Sequence, residues 1–326
     1  MAKPVNLTES KARTPAEKRA FVHQVFESIS DDYDKMNDVE SFRMHRNWKK
    51  ALVNAVVSNM PADPSSALPT ELASPASTVP PASPAPAAPA APPASPASAA
   101  SSTSAASSTP ASPLASPVSP APAAPPASPA TPQVFSPVIL DVATGTGDIA
   151  IALAAALPEA TVTGIDFSEN MLVIAHQRTA ALPATTASPS FILGDALDLP
   201  YADASVDALT ISFGLRNLPD YAAALREFYR VLKPGGYFYC LEASYPTSPL
   251  IKPFFKLYFK YIMPNLAALV VGHRQQYQWL NDSTEAFLSK TELADLMEVC
   301  GFTEVTVKSF LFGAAALHQG YRSSNG

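Results

Sequence analysis

The stretch Val138-Ile139-Leu140-Asp141-Val142-Ala143-Thr144-Gly145-Thr146-Gly147-Asp148 runs from a mostly apolar strand through a glycine turn into a helix. Glycines at such a turn let a ligand come close to the backbone, and the helix N-terminus behind it offers free N–H donors. Gly145, Gly147 and Ala150 also fit the loose G-x-G-x-x-G/A pattern of dinucleotide sites, so the glycines by themselves name no cofactor.

Downstream, strand and helix patterns alternate. Strands are predicted at Val138–Val142, 162–166, 191–193, 206–212 and 237–242, with helices starting at Asp148 and near Glu169 and covering 221–232. Pro234-Gly235-Gly236 reads as the turn before the fifth strand, and two late strands near 304–309 and 314–321 would complete a seven-stranded sheet. Strands alternating with helices imply parallel βαβ units and an α/β fold.

Upstream, Thr14-Pro15-Ala16-Glu17 reads as a capped helix start, with Pro at the first helical position and Glu placed for a capping box; this helix should run to about Ser28. A polar loop is expected over 29–38. A second helix over 41–57 would turn Trp48, Leu52, Val53 and Val56 inward.

Residues 61–137 differ from everything around them. They are almost wholly Pro, Ala and Ser, lack Gly, Lys and Arg, and carry only Asp63 and Glu71 as charges, so extended solvated chain is expected. The expected organisation is therefore helices in 1–60, a disordered insertion at 61–137, and the core with its substrate lid in 138–326. Without the insertion about 250 residues remain, enough for one α/β domain.

Of the 326 residues, 22 are basic and 28 acidic, and the basic ones form no stripe, so nucleic acid is not an expected partner. Cys240 and Cys300 are the only cysteines and show no ligand spacing, which suggests small core residues rather than a disulfide or a metal site. Residues 1–18 lack the apolar core of a signal peptide, and no apolar run reaches ~18 residues, so a cytoplasmic or peripheral protein is expected.

The acids near the turn add information. Asp141 lies inside the end of the first strand, where nicotinamide sites usually keep apolar residues, and could help position the ammonium of a methionyl group. Asp166 closes the second strand and could accept both ribose hydroxyls; Asp195 and Ala196, after the third, could border an adenine.

These segments, with others along the chain, resemble the ubiquinone/menaquinone biosynthesis C-methyltransferase family. Near the start the resemblance rests on Val25-Phe26, Tyr33-Asp34-x-Met36-Asn37 and His45-Arg46-x-Trp48-Lys49. It continues through Asp141 to Asp148, the run from Asp166 to Leu172, Gly194-Asp195-Ala196 with Leu199-Pro200, and Arg230 to Gly236 with Leu241-Glu242. Phe213-Gly214-Leu215-Arg216-Asn217 is the most specific part, and Tyr277-x-Trp279-Leu280 and Ala316-Leu317-His318-x-Gly320-Tyr321-Arg322 extend the match. Arg43 stands where the family often has Gly, Phe312-Gly313-Ala314 replaces a more usual turn, and the insertion is foreign to the pattern.

The resemblance implies a class I methyltransferase fold, Rossmann-like, with a mostly parallel sheet whose last strand is antiparallel. It implies S-adenosylmethionine as cofactor, held by Asp141 at the end of the first strand, Gly145, Thr146 and Gly147 in the turn, Asp166, Asp195, Ala196 and Ser212. It also implies C-methylation of a polyprenyl quinol. The runs from Asp166 to Leu172 and from Leu215 to Asp220 favour demethylmenaquinol; 2-methoxy-6-polyprenyl-1,4-benzoquinol is the alternative acceptor. A nicotinamide oxidoreductase and a non-catalytic S-adenosylmethionine-binding protein are the readings from other classes.

Ring methylation needs an electron-rich carbon in line with the S–CH3 bond, which a quinol provides when a hydroxyl ionises. Arg216 is suited to holding phenolate charge and Asn217 to bonding the other ring oxygen; Arg216 could instead tie its loop to Asp148 or Glu242. Asp148, His45, Tyr33, His273 and water are the candidate proton acceptors. The stretch 250–264 places Lys252, Lys256 and Lys260 on one helical face among aromatic residues, as a lid or a contact with the inner face of the membrane would. The expected partners are thus a polyprenyl quinol and a membrane surface, with a homodimer left open.

Overall fold

The computed structural model describes residues 14–30, 33–60, 136–246, 250, 253, 257 and 283–324. The rest of the expected lid, His273, Tyr277, Trp279 and nearly all of the Pro/Ala/Ser insertion lie outside them. The described residues fall within one unit, formed by Met1–Ala67 and Val134–Gly326.

Helix α1 (Pro15–Ile29) starts as its sequence predicts: the Glu17 N–H donates to Thr14 Oγ1 at 3.3 Å, and the Thr14 N–H donates to Glu17 Oε2 at 2.8 Å. Helix α2 (Tyr33–Glu40) corrects the predicted loop. Its sequence is polar, but the Tyr33 ring packs 5.9 Å from that of Phe26, and Asp34 pairs with Arg178. Tertiary partners hold a helix there that local propensity does not forecast.

Helix α3 (His45–Asn59) begins four residues later than predicted, because Phe42 and Arg43 take φ of +49° and +62°. Left-handed residues cannot continue a right-handed helix. Leu52, Val53 and Val56 are buried as expected, while Trp48 is half-buried and stacks on Phe310 at 6.3 Å.

Seven strands follow the order β3-β2-β1-β4-β5-β7-β6. They are β1 (Val138–Val142), β2 (Thr161–Asp166), β3 (Ser190–Leu193), β4 (Val206–Ser212), β5 (Leu232–Ala243), β6 (Thr303–Phe310) and β7 (Ala315–Tyr321). The first five pair in parallel, and β7 runs antiparallel to both β5 and β6. This is the expected class I methyltransferase topology.

The Pro234-Gly235-Gly236 turn lies inside β5 rather than before it. Val206 pairs with Leu232 and Ala208 with Tyr237, so residues 233–236 bulge out opposite Asp207 alone. At the start of β1, Ser136 and Pro137 already join the sheet: Ser136 Oγ donates to the Glu159 carbonyl at 2.7 Å, and the Thr161 N–H to the Pro137 carbonyl at 2.8 Å.

Alternation along the strands divides the core between two faces. Ile139, Tyr239 and Leu241 pack under α3, α4 (Asp148–Ala156) and α5 (Glu169–Ala180). Leu140, Phe238 and Cys240 pack against α6 (Tyr221–Val231) and α7 (Lys290–Val299). Cys240 and Cys300 are buried and unpaired, as expected of core thiols. Helix α7 was not predicted, although Ser289 and Glu292 form the reciprocal capping box that marks its start. Among the described residues no helix is long and apolar enough to cross a membrane.

Candidate active site

In this strand order the connections reverse direction between β1 and β4, and a crevice opens beyond their carboxyl ends. Two unusual backbones build it. Ala143, just after β1, has φ +53°, and Phe213, just after β4, has φ +57°. The two turns close on each other so tightly that a Cβ on Gly214 would lie 2.6 Å from the Ala143 Cβ. Such strained non-glycine residues persist where the surrounding fold fixes them.

The resulting crevice spans about 730 Å³ of space, the solvent at its open mouth included. Its floor is Val142, Gly145 and Asp166; Asp195 and Ala196 form one rim, and Ser212, Phe213 and Asn217 the other. Helix α1 crosses the opening with Arg19, Val22 and Phe26, and Tyr33 closes the end. Of the eleven site residues predicted from sequence, Gly145, Asp166, Asp195, Ala196, Ser212 and Asn217 therefore line one cavity.

Asp166 is fixed from behind. Its Oδ2 accepts from the Gly145 N–H at 2.8 Å and its Oδ1 from the Ser168 N–H at 3.0 Å. Burial pushes its carboxyl up to about 6, while those backbone N–H groups pull it down. Each oxygen keeps a lone pair for a further donor. At the rim, Asp195 Oδ2 pairs with Arg19 at 2.6 Å and Oδ1 accepts from the Leu197 N–H at 3.1 Å.

On the opposite rim, two residues that line the cavity each carry a buried polar atom without a hydrogen-bond partner: Ser212 Oγ and Asn217 Oδ1. The Asn217 amide is held by its other end, with Nδ2 donating to the Phe213 carbonyl at 3.2 Å. A buried acceptor left unpaired is costly, so these atoms point to a polar ligand.

The other predicted residues face elsewhere. Asp141 is buried, accepting from Thr144 Oγ1 at 2.6 Å and Thr210 Oγ1 at 2.7 Å. Burial pushes its carboxyl up to about 6 against those two hydroxyls. Thr146 Oγ1 donates to Asp34 at 3.2 Å and accepts from Arg178 Nη1 at 2.9 Å. Gly147, with φ +85°, turns toward Phe191 and Ala175. Asp148 is engaged by Lys49 at 2.9 Å and Arg178 at 2.5 Å.

Arg216 is also held inside the protein. Its Nη1 donates to Glu242 Oε2 and to the Phe213 carbonyl, both at 2.7 Å, and its backbone N–H donates to Glu242 Oε1 at 3.2 Å. Of the two anchors considered for it, the structure shows Glu242. Among the candidate proton acceptors, Tyr33 lines the cavity. His45 is buried against Ser41 Oγ at 2.7 Å, and burial, aided by Lys49, pushes its imidazole down to about 4.

Sequence reading missed the cations that lock this arrangement. Arg178 ties Asp34 of α2 to Asp148 and to the Thr146 carbonyl, and Arg19 covers Asp195. Lys and Arg on helices usually read as a solvated face, so neither carried a local signal.

S-adenosylmethionine fits the residues present. A Cβ on Gly145 would meet only Tyr33, at 3.8 Å, which leaves an open cradle at the turn, and Asp166 beside it keeps acceptor sites that a ribose could fill.

Residues 13–68 and 129–322 match the profile of the ubiE/COQ5 methyltransferase family. Demethylmenaquinone methyltransferases of Staphylococcus aureus strains JH9 and Newman are each 48% identical to this chain over 187 residues, covering 57% of it and 76% of the relative. Among solved structures, SAM-dependent methyltransferases of Thermotoga maritima and Aquifex aeolicus are similar, with TM-scores of 0.41 for each. Their identities are 23% and 19%, over 59% and 56% of this chain and 84% and 80% of theirs. The chain belongs to the ubiE/COQ5 methyltransferase family, a family of S-adenosylmethionine-dependent enzymes.

Proposed function

We propose that this protein methylates a ring carbon of a polyprenyl quinol, with demethylmenaquinol as acceptor and menaquinol as product. The observation that carries the reading is the pair of unpartnered polar atoms, Ser212 Oγ and Asn217 Oδ1, on residues of a cavity wall that also presents Val22, Phe26, Phe213 and Leu218. A flat aromatic ring with hydroxyl edges suits such a wall. An amide oxygen accepts but cannot donate, so Asn217 Oδ1 selects the hydroxyl of a quinol over the carbonyl of a quinone. The S. aureus relatives favour the naphthoquinol over the benzoquinol.

S-adenosylmethionine, when bound, supplies a methyl group on a sulfonium to a carbon nucleophile placed in line. We assign Asp166 to the ribose hydroxyls, Gly145 to the close approach of the chain, and Asp195 with Ala196 to the adenine. Ser212 stands at the reacting end. Asn217 Oδ1 accepts from the quinol hydroxyl and orients the ring. As that hydroxyl passes its proton to solvent, the ring carbon gains the electron density to form the new C–C bond, for which bound S-adenosylmethionine would supply the methyl group and leave as S-adenosylhomocysteine. Loss of the ring carbon's own proton then restores aromaticity and the ring oxygen is reprotonated, so one proton is released per menaquinol formed.

Arg216 takes a different part from the one first considered for it. Its charge is matched by Glu242, so it serves by fixing the 213–217 turn rather than by holding phenolate. Asp141, Thr146 and Asp148 likewise brace the glycine turn from behind. A prenylated acceptor resides in a bilayer, so the reading carries with it a peripheral contact with a membrane surface.

The test is methyl transfer from labelled S-adenosylmethionine into short-chain demethylmenaquinol and the methoxy-benzoquinol, each kept reduced and each also supplied as the quinone. Label in the reduced naphthoquinol alone is expected. Label in both quinols would make the enzyme dual, and label in neither, despite S-adenosylhomocysteine binding, would overturn the substrate.

A further inference from the structure

Lys18 lies in the first turns of α1, and its Nζ reaches three oxygens around the 215–217 turn. It donates to the Leu218 carbonyl at 2.5 Å, the Arg216 carbonyl at 3.3 Å and the Tyr221 hydroxyl at 3.3 Å. The ammonium also stands 4.9 Å over the Tyr221 ring. An ammonium has three donors, so this set of oxygens uses all of them.

The two carbonyls have a particular place. Leu215–Asn217 is a single 3-10 turn, and carbonyls at the end of a helical turn lack intrahelical partners and carry partial negative charge. The Arg216 and Leu218 carbonyls belong to the residues on either side of Asn217, which itself lines the cavity. A lysine at a helix surface ordinarily extends its charged end into water. Lys18 instead turns inward, and burial lowers its pKa, a cost that only specific acceptors offset.

Its neighbour behaves differently. Arg19 goes to Asp195 on the far rim, so adjacent residues of α1 grip opposite sides of the cavity.

We propose that Lys18 is a positioning residue for methyl transfer, clamping the two peptide carbonyls that flank Asn217 and thereby setting where the Asn217 amide stands in the cavity. The inference rests on the reading of Asn217 as the group that receives the acceptor hydroxyl. Misplacing such a group by about 1 Å can cost on the order of a hundredfold in rate.

The experiment uses the full chain with Lys18→Met, which keeps the stem and removes the donors, and Lys18→Arg, which restores cationic donors. Three quantities are read: kcat with short-chain demethylmenaquinol, the Kd of S-adenosylhomocysteine, and the side-chain amide resonance of Asn217 in labelled protein without quinol. For Lys18→Met we expect kcat to fall ten- to a hundredfold, Kd to change less than threefold, and the Asn217 resonance to move. Lys18→Arg should return the resonance and most of kcat.

Normal turnover in Lys18→Met overturns the proposal. So does a parallel loss of turnover and S-adenosylhomocysteine binding that Lys18→Arg does not repair, which would make Lys18 a mere dock for α1. If the unaltered protein methylates neither quinol, the substrate reading fails, and the Asn217 resonance still decides whether the clamp exists.

Discussion

Removing the carboxylate of Glu242 is the severest test of how the acceptor side is built. Arg216 and Glu242 meet at 2.7 Å with side chains only 6% and 2% exposed, and Glu242 also receives the Arg216 backbone N–H. Neither charge has water to fall back on, so Glu242→Ala leaves a guanidinium buried without its counter-charge. Breaking a buried pair from one side costs about 3 to 5 kcal/mol. For a domain of this size each kcal/mol moves Tm by roughly 2 to 4 °C, so a fall of about 6 to 20 °C is expected. Replacing both partners, Arg216→Met with Glu242→Leu, removes the orphaned charge and should recover most of that stability. Methyl transfer should stay impaired in the double variant, because the Phe213 carbonyl has lost its Arg216 donor and the turn carrying Asn217 has lost its anchor. Thermal and denaturant unfolding of the three variants, alongside turnover, give the answer. The reasoning is refuted if Glu242→Ala costs less than about 1 kcal/mol, well under the range for a buried pair broken from one side, or if the double variant is no more stable than the single.

The elevated carboxyl of Asp166 predicts a pH dependence for cofactor binding. In the proposed role its ionised form would supply acceptors to both ribose hydroxyls, and protonation would turn one of them into a donor. S-adenosylhomocysteine affinity should hold above about 6 and weaken as pH falls through that value. Calorimetry across that window should show the dependence removed by Asp166→Asn and kept by Asp141→Asn, since Asp141 titrates near the same value away from the cavity. Arg43 holds φ +62°, a left-handed value that Gly adopts without strain, and its contact with Asp38 is an exposed one at 3.9 Å. Arg43→Gly should therefore stabilise the fold by about 0.5 to 1 kcal/mol, read from the denaturation midpoint; a destabilised variant would show that the side chain does more than tolerate its backbone.

Strands β1 and β4 could be read from sequence to the residue, because central parallel strands are buried on both faces and appear as short apolar runs ended by turn residues. The same reading fails wherever distant contacts decide. Helix α2 depends on Arg178 and Thr146, more than a hundred residues away, and nothing within Tyr33–Glu40 announces them. The start of α3 depends on two left-handed residues, neither of them glycine, so no composition signal marks the break. Helix α7 is the opposite case, since its Ser289/Glu292 capping box lies in the sequence and specifies the start without help from the fold.

The site divides along the same physical line. Residues at strand ends, such as Asp166 and Ser212, reach the cavity because the topology delivers every parallel strand end to one edge of the sheet. Arg178 stands in the last turn of α5, where a cation is already accounted for by the helix dipole, and that sufficient local explanation conceals its role in fastening α2 over the glycine turn. Asp141 shows how much a simple rule can add. Side chains alternate along a strand, so Asp141 and Val142 cannot face the same side. Val142 lines the cavity, and Asp141 therefore turns to the other face, where Thr210, its register partner on β4, and Thr144 satisfy both of its oxygens. A carboxylate in the right motif is thus placed by strand parity before any chemistry is asked of it, and what the structure gives Asp141 is the Thr144 hydroxyl, which ties it to the glycine turn.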